Sequence, residues 1–314
     1  MKSKLMGHLD LVQELMVVFP ENVHSHVWPD YIRVKYNLPE VFYFDMRPFG
    51  PLWLYVADPE LSSRYLTVTQ SLPKSHLETD FINHLLGNNN IVSLEGQKWK
   101  LLRSMFNPGF SATNIMNMAD FIVDASLAFC QVMREKAETG ELFQLEEYAT
   151  RLTIDVIGRV SLDMDIQAQK RIHPIVKYFR ERLLLMPPAT AVFPWQSVDL
   201  TRPFRLWWNG RHLNNAISKE LDAIIVRRGQ AFLDEQKGLA KSFKTKSIID
   251  LALATWEKEI LSVDGASSDS KAPKRITEPS QLPRQLRQDL IDQIKTFFFA
   301  GHDSKYTYTS KEQY

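Results

Sequence analysis

The sequence is poor in cysteine, in glycine and in excess charge of either sign. Its 314 residues include one cysteine, Cys130, so neither an internal disulfide nor a cysteine-cluster metal site can form. Glycine accounts for only 12 residues, which fits poorly with a glycine-rich dinucleotide fold or an all-β sandwich. Lysine and arginine total 38 against 37 aspartates and glutamates, a balance that argues against a nucleic-acid binder.

Long apolar runs are also missing. The run from Leu15 to Phe19 stops at Pro20, and the stretch Leu183–Trp195 is broken by prolines. A membrane-spanning helix needs about 20 mostly apolar residues, so no span is predicted. Lys2 and Lys4 are not followed by an apolar core, which argues against a secretory signal. Taken literally, the chain is expected to be soluble and cytoplasmic.

Two short segments have strand composition, and most of the remainder has helical periodicity. Val41–Asp45 and Leu52–Val56 flank a proline- and glycine-containing turn and predict a β-hairpin. Asp58 precedes a proline and a glutamate, which predicts a helix capped by Asp58. Apolar residues then recur three or four positions apart in five segments, which predict helices over 111–132, 145–160, 206–232, 248–256 and from 286. The predicted fold class is mainly α with a small β-sheet.

Two further features follow from local composition. Residues 262–283 are rich in serine, aspartate, lysine and proline, which predicts a mobile surface loop. Cys130 falls beside Phe129 and Val132 on the apolar face of a predicted helix, so we interpret it as a buried structural cysteine.

The first candidate site lies in the segment from Glu95 to Phe110. Trp99 and Arg103 are four residues apart and share one face if this segment is helical. An indole N–H beside a guanidinium group makes a paired donor for a carboxylate. The same spacing also suits a tryptophan ring packed on an arginine, and spacing alone favours that commoner arrangement.

The second candidate site lies at the end of the last predicted helix, at 297–304. Gly301 interrupts the helical pattern, and a glycine in a helix often marks a close approach to another group. Asp303 followed by Ser304 places an acid beside a hydroxyl, which is a plausible proton relay. An ordinary helix end with an Asp-Ser cap is the alternative.

Together and in this order, the two segments resemble the cytochrome P-450 superfamily of heme-thiolate monooxygenases. The C-helix pattern of that family, a glycine followed by Trp-x-x-x-Arg and a Pro-x-Phe ending, falls on Gly96, Trp99, Arg103 and 108–110. Its I-helix pattern, Ala/Gly-Gly-x-Asp/Glu-Thr, falls on 300–304. The resemblance implies the N-terminal part of the cytochrome P-450 fold, incomplete, with a partial domain over 41–304.

The resemblance also implies a role for each matched residue. Trp99 and Arg103 are expected to hold a heme propionate, and Ala300 and Gly301 to leave a groove for dioxygen and substrate. Asp303 and Ser304 are expected to deliver protons during oxygen activation, with serine in place of the usual threonine. The implied cofactor is heme, the substrate an apolar small molecule, and the electron donor an NADPH-dependent reductase. The complete family member is expected at the endoplasmic reticulum membrane, with a possible role in secondary metabolism.

The sequence also departs from the family pattern. The family's axial cysteine and its Glu-x-x-Arg motif do not follow Ser304, and Cys130 lacks the setting of an iron ligand. Residues 1–40 are expected to form an N-terminal segment without a membrane anchor, and residues 305–314 are unlike the family. The chain is therefore expected to be truncated, with no metal ligand, and inactive as it stands. The alternative hypothesis is a non-catalytic helical fragment that binds a partner or a hydrophobic ligand.

Overall fold

The computed structural model describes residues 7–19, 27–47, 50–67, 72–186, 199–237, 247–263 and 276–303. These ranges are mainly helical with one two-stranded sheet, as the sequence predicts. The helices are α1 (Leu9–Val18), α2 (Trp28–Lys35), α3 (Pro59–Thr67), α4 (His76–Leu86), α5 (Gly96–Phe106), α6 (Ala112–Met116), α7 (Ala119–Thr139), α8 (Leu145–Leu162), α9 (Pro174–Leu185), α10 (Arg202–Gln236), α11 (Ile248–Val263) and α12 (Arg284–Asp303). Within these ranges, no helix is both long and apolar enough to cross a bilayer.

The chain divides into two compact units, residues 1–74 with 184–204, and residues 75–183 with 205–314. In the first unit, β1 (Val41–Asp45) pairs antiparallel with β2 (Leu52–Val56), and Val41 lies opposite Val56. This is the predicted hairpin. Phe44 of β1 is buried in one core with residues of α1 and α2. The predicted boundary at residue 40 therefore falls inside the first unit.

The predicted cap of α3 is present. One carboxylate oxygen of Asp58 accepts the backbone N–H groups of Glu60, at 2.7 Å, and of Leu61, at 3.0 Å. These two groups have no intrahelical acceptor, so the cap stabilises the helix by about 1 kcal/mol. The chain direction after the hairpin is thus set by a signal that is readable in the sequence.

In the second unit, α12 is the central helix. It packs against α8 and α4, while α11 packs against α5 and α8, and α7 packs against α8. Residues 289–298 of α12 are all buried, polar and apolar alike. A helix that is buried around its whole circumference needs internal partners for its polar groups.

The helix predicted over 111–132 is interrupted. Ser111 caps α6 by accepting the N–H of Asn114 at 3.3 Å, as predicted, but α6 ends at Met116 and α7 begins at Ala119. The prediction of a buried Cys130 is wrong, because Cys130 lies on an exposed position of α7. Cys130 follows Phe129 by one position, about 100° around the helix, which turns its side chain away from the apolar face.

The loop predicted over 262–283 is wrong at both of its ends. α11 continues to Val263, and residues 264–275 lie outside the described ranges. Ile276 is 4% exposed, and its N–H donates to a carboxylate oxygen of Glu257 at 2.7 Å. A 3-10 turn follows at Pro279–Gln281. Leu282 is 5% exposed as well, so two apolar residues anchor this end of the segment.

Gly229 of α10 tests this anchoring. A Cβ atom at Gly229 would lie 2.5 Å from the backbone oxygen of Thr277, which cannot move aside alone. We expect Gly229→Ala to lower the free energy of unfolding by about 1–3 kcal/mol, although alanine favours a helix over glycine. Urea denaturation followed by circular dichroism measures this change.

Asn215→Ala is the matched control, because Asn215 is exposed on the same helix. Its free energy of unfolding should stay equal or rise by a few tenths of a kcal/mol, since alanine is the better helix former. A gain of stability in Gly229→Ala as well would contradict the packing of Thr277 on α10.

Candidate functional site

Helix α5 presents Trp99 and Arg103 on its solvent side. Gly96, at a φ of 63°, begins the helix, and Leu102, Met105 and Phe106 form its buried face. Residues four apart in a helix are separated by about 40° around the axis and about 6 Å along it. The predicted helical placement of this pair is therefore confirmed, and both side chains are exposed.

Trp99 is 37% exposed, so part of its ring is covered by the protein while the rest faces solvent. Among the described residues, neither the Trp99 indole nor the Arg103 guanidinium makes a side-chain hydrogen bond or an ion pair. The cation–π contacts of this part of the chain do not include an Arg103–Trp99 pair. The alternative of a ring stacked on the arginine is thus not what the structure contains. Two neighbouring donors that face outward suit a carboxylate, which only accepts.

Aromatic packing joins α5 to α12. The ring of Phe297 makes edge-to-face contacts with Phe106, at 5.3 Å between centroids, and with Phe110 of the following 3-10 turn, at 5.4 Å. Phe297 and Phe298 are 7% and 2% exposed. Both rings are therefore covered by the rest of the second unit. The two sequence patterns meet at this contact.

The end of α12 holds the second pattern. A Cβ atom at Gly301 would lie 3.1 Å from the Cβ of Ile157, so the glycine allows α12 to approach α8 closely. Ala300 lies at an exposed position one turn after Phe297. Asp303 is the last residue of α12, and the structure describes its backbone but not its side chain. Ser304 lies outside the described residues, so the proton-relay and groove assignments stay predictions.

Buried polar side chains of α12 were missed by the sequence analysis. Asp292, Gln293 and Lys295 are at most 4% exposed, and the Lys295 ammonium lies 2.8 Å from a carboxylate oxygen of Asp292. Burial lowers the pKa of Lys295, and the negative charge of Asp292 opposes that shift. An acid and a base three residues apart in an apolar helical run are the signal that could have identified them.

Arg182 of α9 completes this buried region. Its guanidinium donates to the backbone oxygens of His84 and Leu85 at the end of α4, the latter at 2.9 Å. Burial lowers the pKa of Arg182, while Asp292 raises it. The carbonyls that a helix end leaves unpaired thus find a cationic donor.

Comparison with known proteins decides the family. The family model "Cytochrome P450" matches residues 44–307, which is most of the chain and includes both patterns. The chain belongs to the cytochrome P450 family. The observed helices and two-stranded sheet agree with part of the cytochrome P450 fold.

Individual cytochromes P450 show the extent of the similarity. The chain is 30% identical over 301 residues to "Cytochrome P450 monooxygenase polC" of Polytolypa hystricis, covering 96% of this chain and 50% of that protein. It is 30% identical over 290 residues to "Cytochrome P450 monooxygenase acrF" of Aspergillus aculeatus, covering 92% and 52%. The chain thus spans about half the length of these curated relatives.

Heme is the cofactor that membership of the cytochrome P450 family implies. The exposed donors of Trp99 and Arg103 fit the carboxylate of a heme propionate in charge and in hydrogen-bonding capacity. Cys130, the one cysteine in the sequence, lies at an exposed position of α7. The described residues include no cluster of three or more metal-ligating side chains.

Phe297 tests the contact that joins the two patterns of this cytochrome P450. Phe297→Ala removes a buried ring and its contacts with Phe106 and Phe110, so we expect the free energy of unfolding to fall by about 3–5 kcal/mol. The urea midpoint measures the loss.

Phe297→Leu is the control, since it keeps most of the volume and loses only the ring contacts. It should cost less than about half as much. Equal small losses in both variants would show that Phe297 is not packed between α5 and the turn after it.

Proposed function

We propose that this chain is the oxygen- and substrate-side part of a heme monooxygenase, which inserts one oxygen atom of dioxygen into an apolar organic substrate. Family membership supports the reaction class, and the fungal relatives named as monooxygenases support it further. We extend the proposal to fungal secondary metabolism, with electrons from an NADPH-dependent reductase. The complete protein is proposed to act at the endoplasmic reticulum membrane.

One observation carries the proposal. Trp99 and Arg103 face outward together on α5, while the other side of the same helix contacts α12 through Phe106 and Phe297. A heme propionate accepting from the Trp99 indole and the Arg103 guanidinium would therefore lie at a helix that is fixed to the proposed oxygen-side helix. Charge-assisted hydrogen bonds of this kind contribute about 1.5–3 kcal/mol each when they replace water.

The end of α12 is proposed to serve the reacting atoms. Ala300 is proposed to leave room beside the helix for dioxygen and an apolar substrate, since its small side chain lies at an exposed position. Gly301 is proposed to set the position of this groove, because it lets α12 lie close to Ile157 of α8. Asp303 and Ser304 are proposed to hold and pass protons, the carboxylate as the acid and the hydroxyl as donor and acceptor. Serine lacks the methyl group that restricts threonine, so its hydroxyl samples more rotamers.

Iron ligation is not assigned to any residue of this chain. Heme bound through a cysteine thiolate supplies the electron density that favours cleavage of the oxygen–oxygen bond. Cys130, the one cysteine in the sequence, is exposed on α7 and is not proposed for that role. This observation also favours a second candidate function, a non-catalytic helical protein that binds a partner or a hydrophobic ligand.

The reduced, carbon-monoxide-bound spectrum separates the two functions. We expect the purified chain supplied with heme to show bound heme without a thiolate-type Soret band, because no thiolate is placed at the site. A thiolate-type band would contradict the exclusion of Cys130. Heme that is lost on gel filtration, with no spectral shift, would favour the non-catalytic function.

Arg103 tests the propionate assignment. Arg103→Gln should weaken heme binding about 10- to 100-fold, as expected for the loss of one charge-assisted contact. Heme titration with quenching of tryptophan fluorescence measures the dissociation constant.

The matched control is Lys100→Gln, which removes the same charge from an exposed position of α5 outside the proposed pair. It should leave the dissociation constant within about twofold, because exposed charges act weakly at a distance. Equal weakening of heme binding in both variants would show that Arg103 acts only through its net charge. That result would reject Arg103 as a propionate ligand.

A further inference from the structure

Two neighbouring residues of α12 hold the loop between α4 and α5. The carboxylate of Asp292 accepts the N–H of Asn89 at 3.1 Å. The side chain of Gln293 accepts the N–H of Ile91 at 3.1 Å and donates to the carbonyl of Asn89 at 2.5 Å. Asp292 and Gln293 are 1% and 0% exposed, so these bonds form away from water. We call this pair of side chains the loop clasp.

The Asp292 side of the loop clasp is fixed in turn. Its other oxygen accepts from Gln288 at 2.9 Å and from Lys295 at 2.8 Å. Gly87 has a φ of 97°, and a Cβ atom there would collide with the Asp292 carboxylate. The loop backbone therefore lies directly on the carboxylate. Removing one partner of such a buried set leaves the remaining groups unsatisfied.

The loop is braced within itself and attached to α5. Asn90, 0% exposed, donates to the side chain of Asn83 at 3.0 Å and accepts the N–H of Ser93 at 2.9 Å. Lys98, in the first turn of α5, donates to the side chain of Asn89 at 2.7 Å and lies 3.4 Å from a carboxylate oxygen of Asp289. The residue after Lys98 is Trp99. The loop clasp thus acts on the turn of α5 that carries the first propionate donor.

We propose that Asp292 and Gln293 are positioning residues, which place the first turn of α5, and hence Trp99 and Arg103, relative to α12. This inference rests on the proposed function in one respect, since it takes Trp99 and Arg103 as the heme-propionate donors. The heme is held only if both donors reach the same carboxylate, so a shift of the first turn weakens binding without removing either donor.

A buried polar contact can also be purely structural, and Asp155 of α8 provides the comparison. Its carboxylate accepts the N–H of Ala168 at 2.5 Å and the N–H of Gln169 at 3.3 Å. Asp155 thus holds another loop from a buried position, but that loop does not lead into α5. The pair Gln293→Met and Asp155→Leu replaces each loop-holding side chain with an apolar one of similar size.

The test combines heme titration with hydrogen exchange of the full chain. Gln293→Met should weaken heme binding about tenfold and speed amide exchange at 87–91 and in the first turn of α5. Asp155→Leu should lower the urea midpoint and speed exchange at 163–169, with heme binding changed less than about twofold. Equal weakening of heme binding by both variants would overturn the proposal.

Lys98→Met keeps the test decisive if Gln293→Met fails to fold, because the side chain of Lys98 is 40% exposed. It should weaken heme binding several-fold at an unchanged urea midpoint, whereas Lys100→Met should not. If the unmodified chain binds no heme, the proposed function fails. Hydrogen exchange then still tests whether Asp292 and Gln293 position the first turn of α5. Unchanged exchange in the first turn of α5 would then overturn the proposal.

Discussion

The burial of α12 on all sides is the constraint on which the rest of the second unit depends. A helix packed against other helices over 289–298 cannot leave its aspartates, glutamine and lysine to water, so the surrounding elements have to bring partners to them. Asp292 and Gln293 receive the backbone of the loop before α5, and Lys295 pairs with Asp292. The central helix thereby specifies where its neighbours lie, because a buried polar group left without its partner costs about 1–3 kcal/mol.

The burial of α12 also gives α5 two different faces, one packed against the protein and one open to solvent. Its apolar face packs inward through Phe106, which meets Phe297 of α12, and its first turn is held through Lys98. The outward face carries Trp99 and Arg103. A ligand that binds this face meets donors whose backbone is already fixed, so less conformational freedom is lost on binding.

Local sequence signals predicted the elements well and the long-range contacts poorly. The cap at Asp58 and the shared face of Trp99 and Arg103 depend on residues within about four positions, and the hairpin joins two strands that are neighbours in the sequence. All three are present. The exposure of Cys130 and the anchoring of Ile276 depend on which surface a distant element covers. The loop clasp joins residues about 200 positions apart, which no local period records. Gly301 was predictable only in part. A glycine inside a helical pattern predicts a close approach, but the sequence does not show that Ile157 is the neighbour.

The residues that identify the family in this chain are not the residues that ligate iron in that family. The residues that identify a cytochrome P450 here position helices and offer donors to a carboxylate, whereas oxygen chemistry depends on a thiolate at iron. Donor contacts and iron ligation are distinct contributions to heme affinity, and the first can exist without the second. Cys130 is exposed on α7, and we do not propose it for iron ligation. In the proposed function, the hold of Trp99 and Arg103 on a heme propionate depends on the placement of α5, and we infer that this placement depends on the buried polar groups of α12.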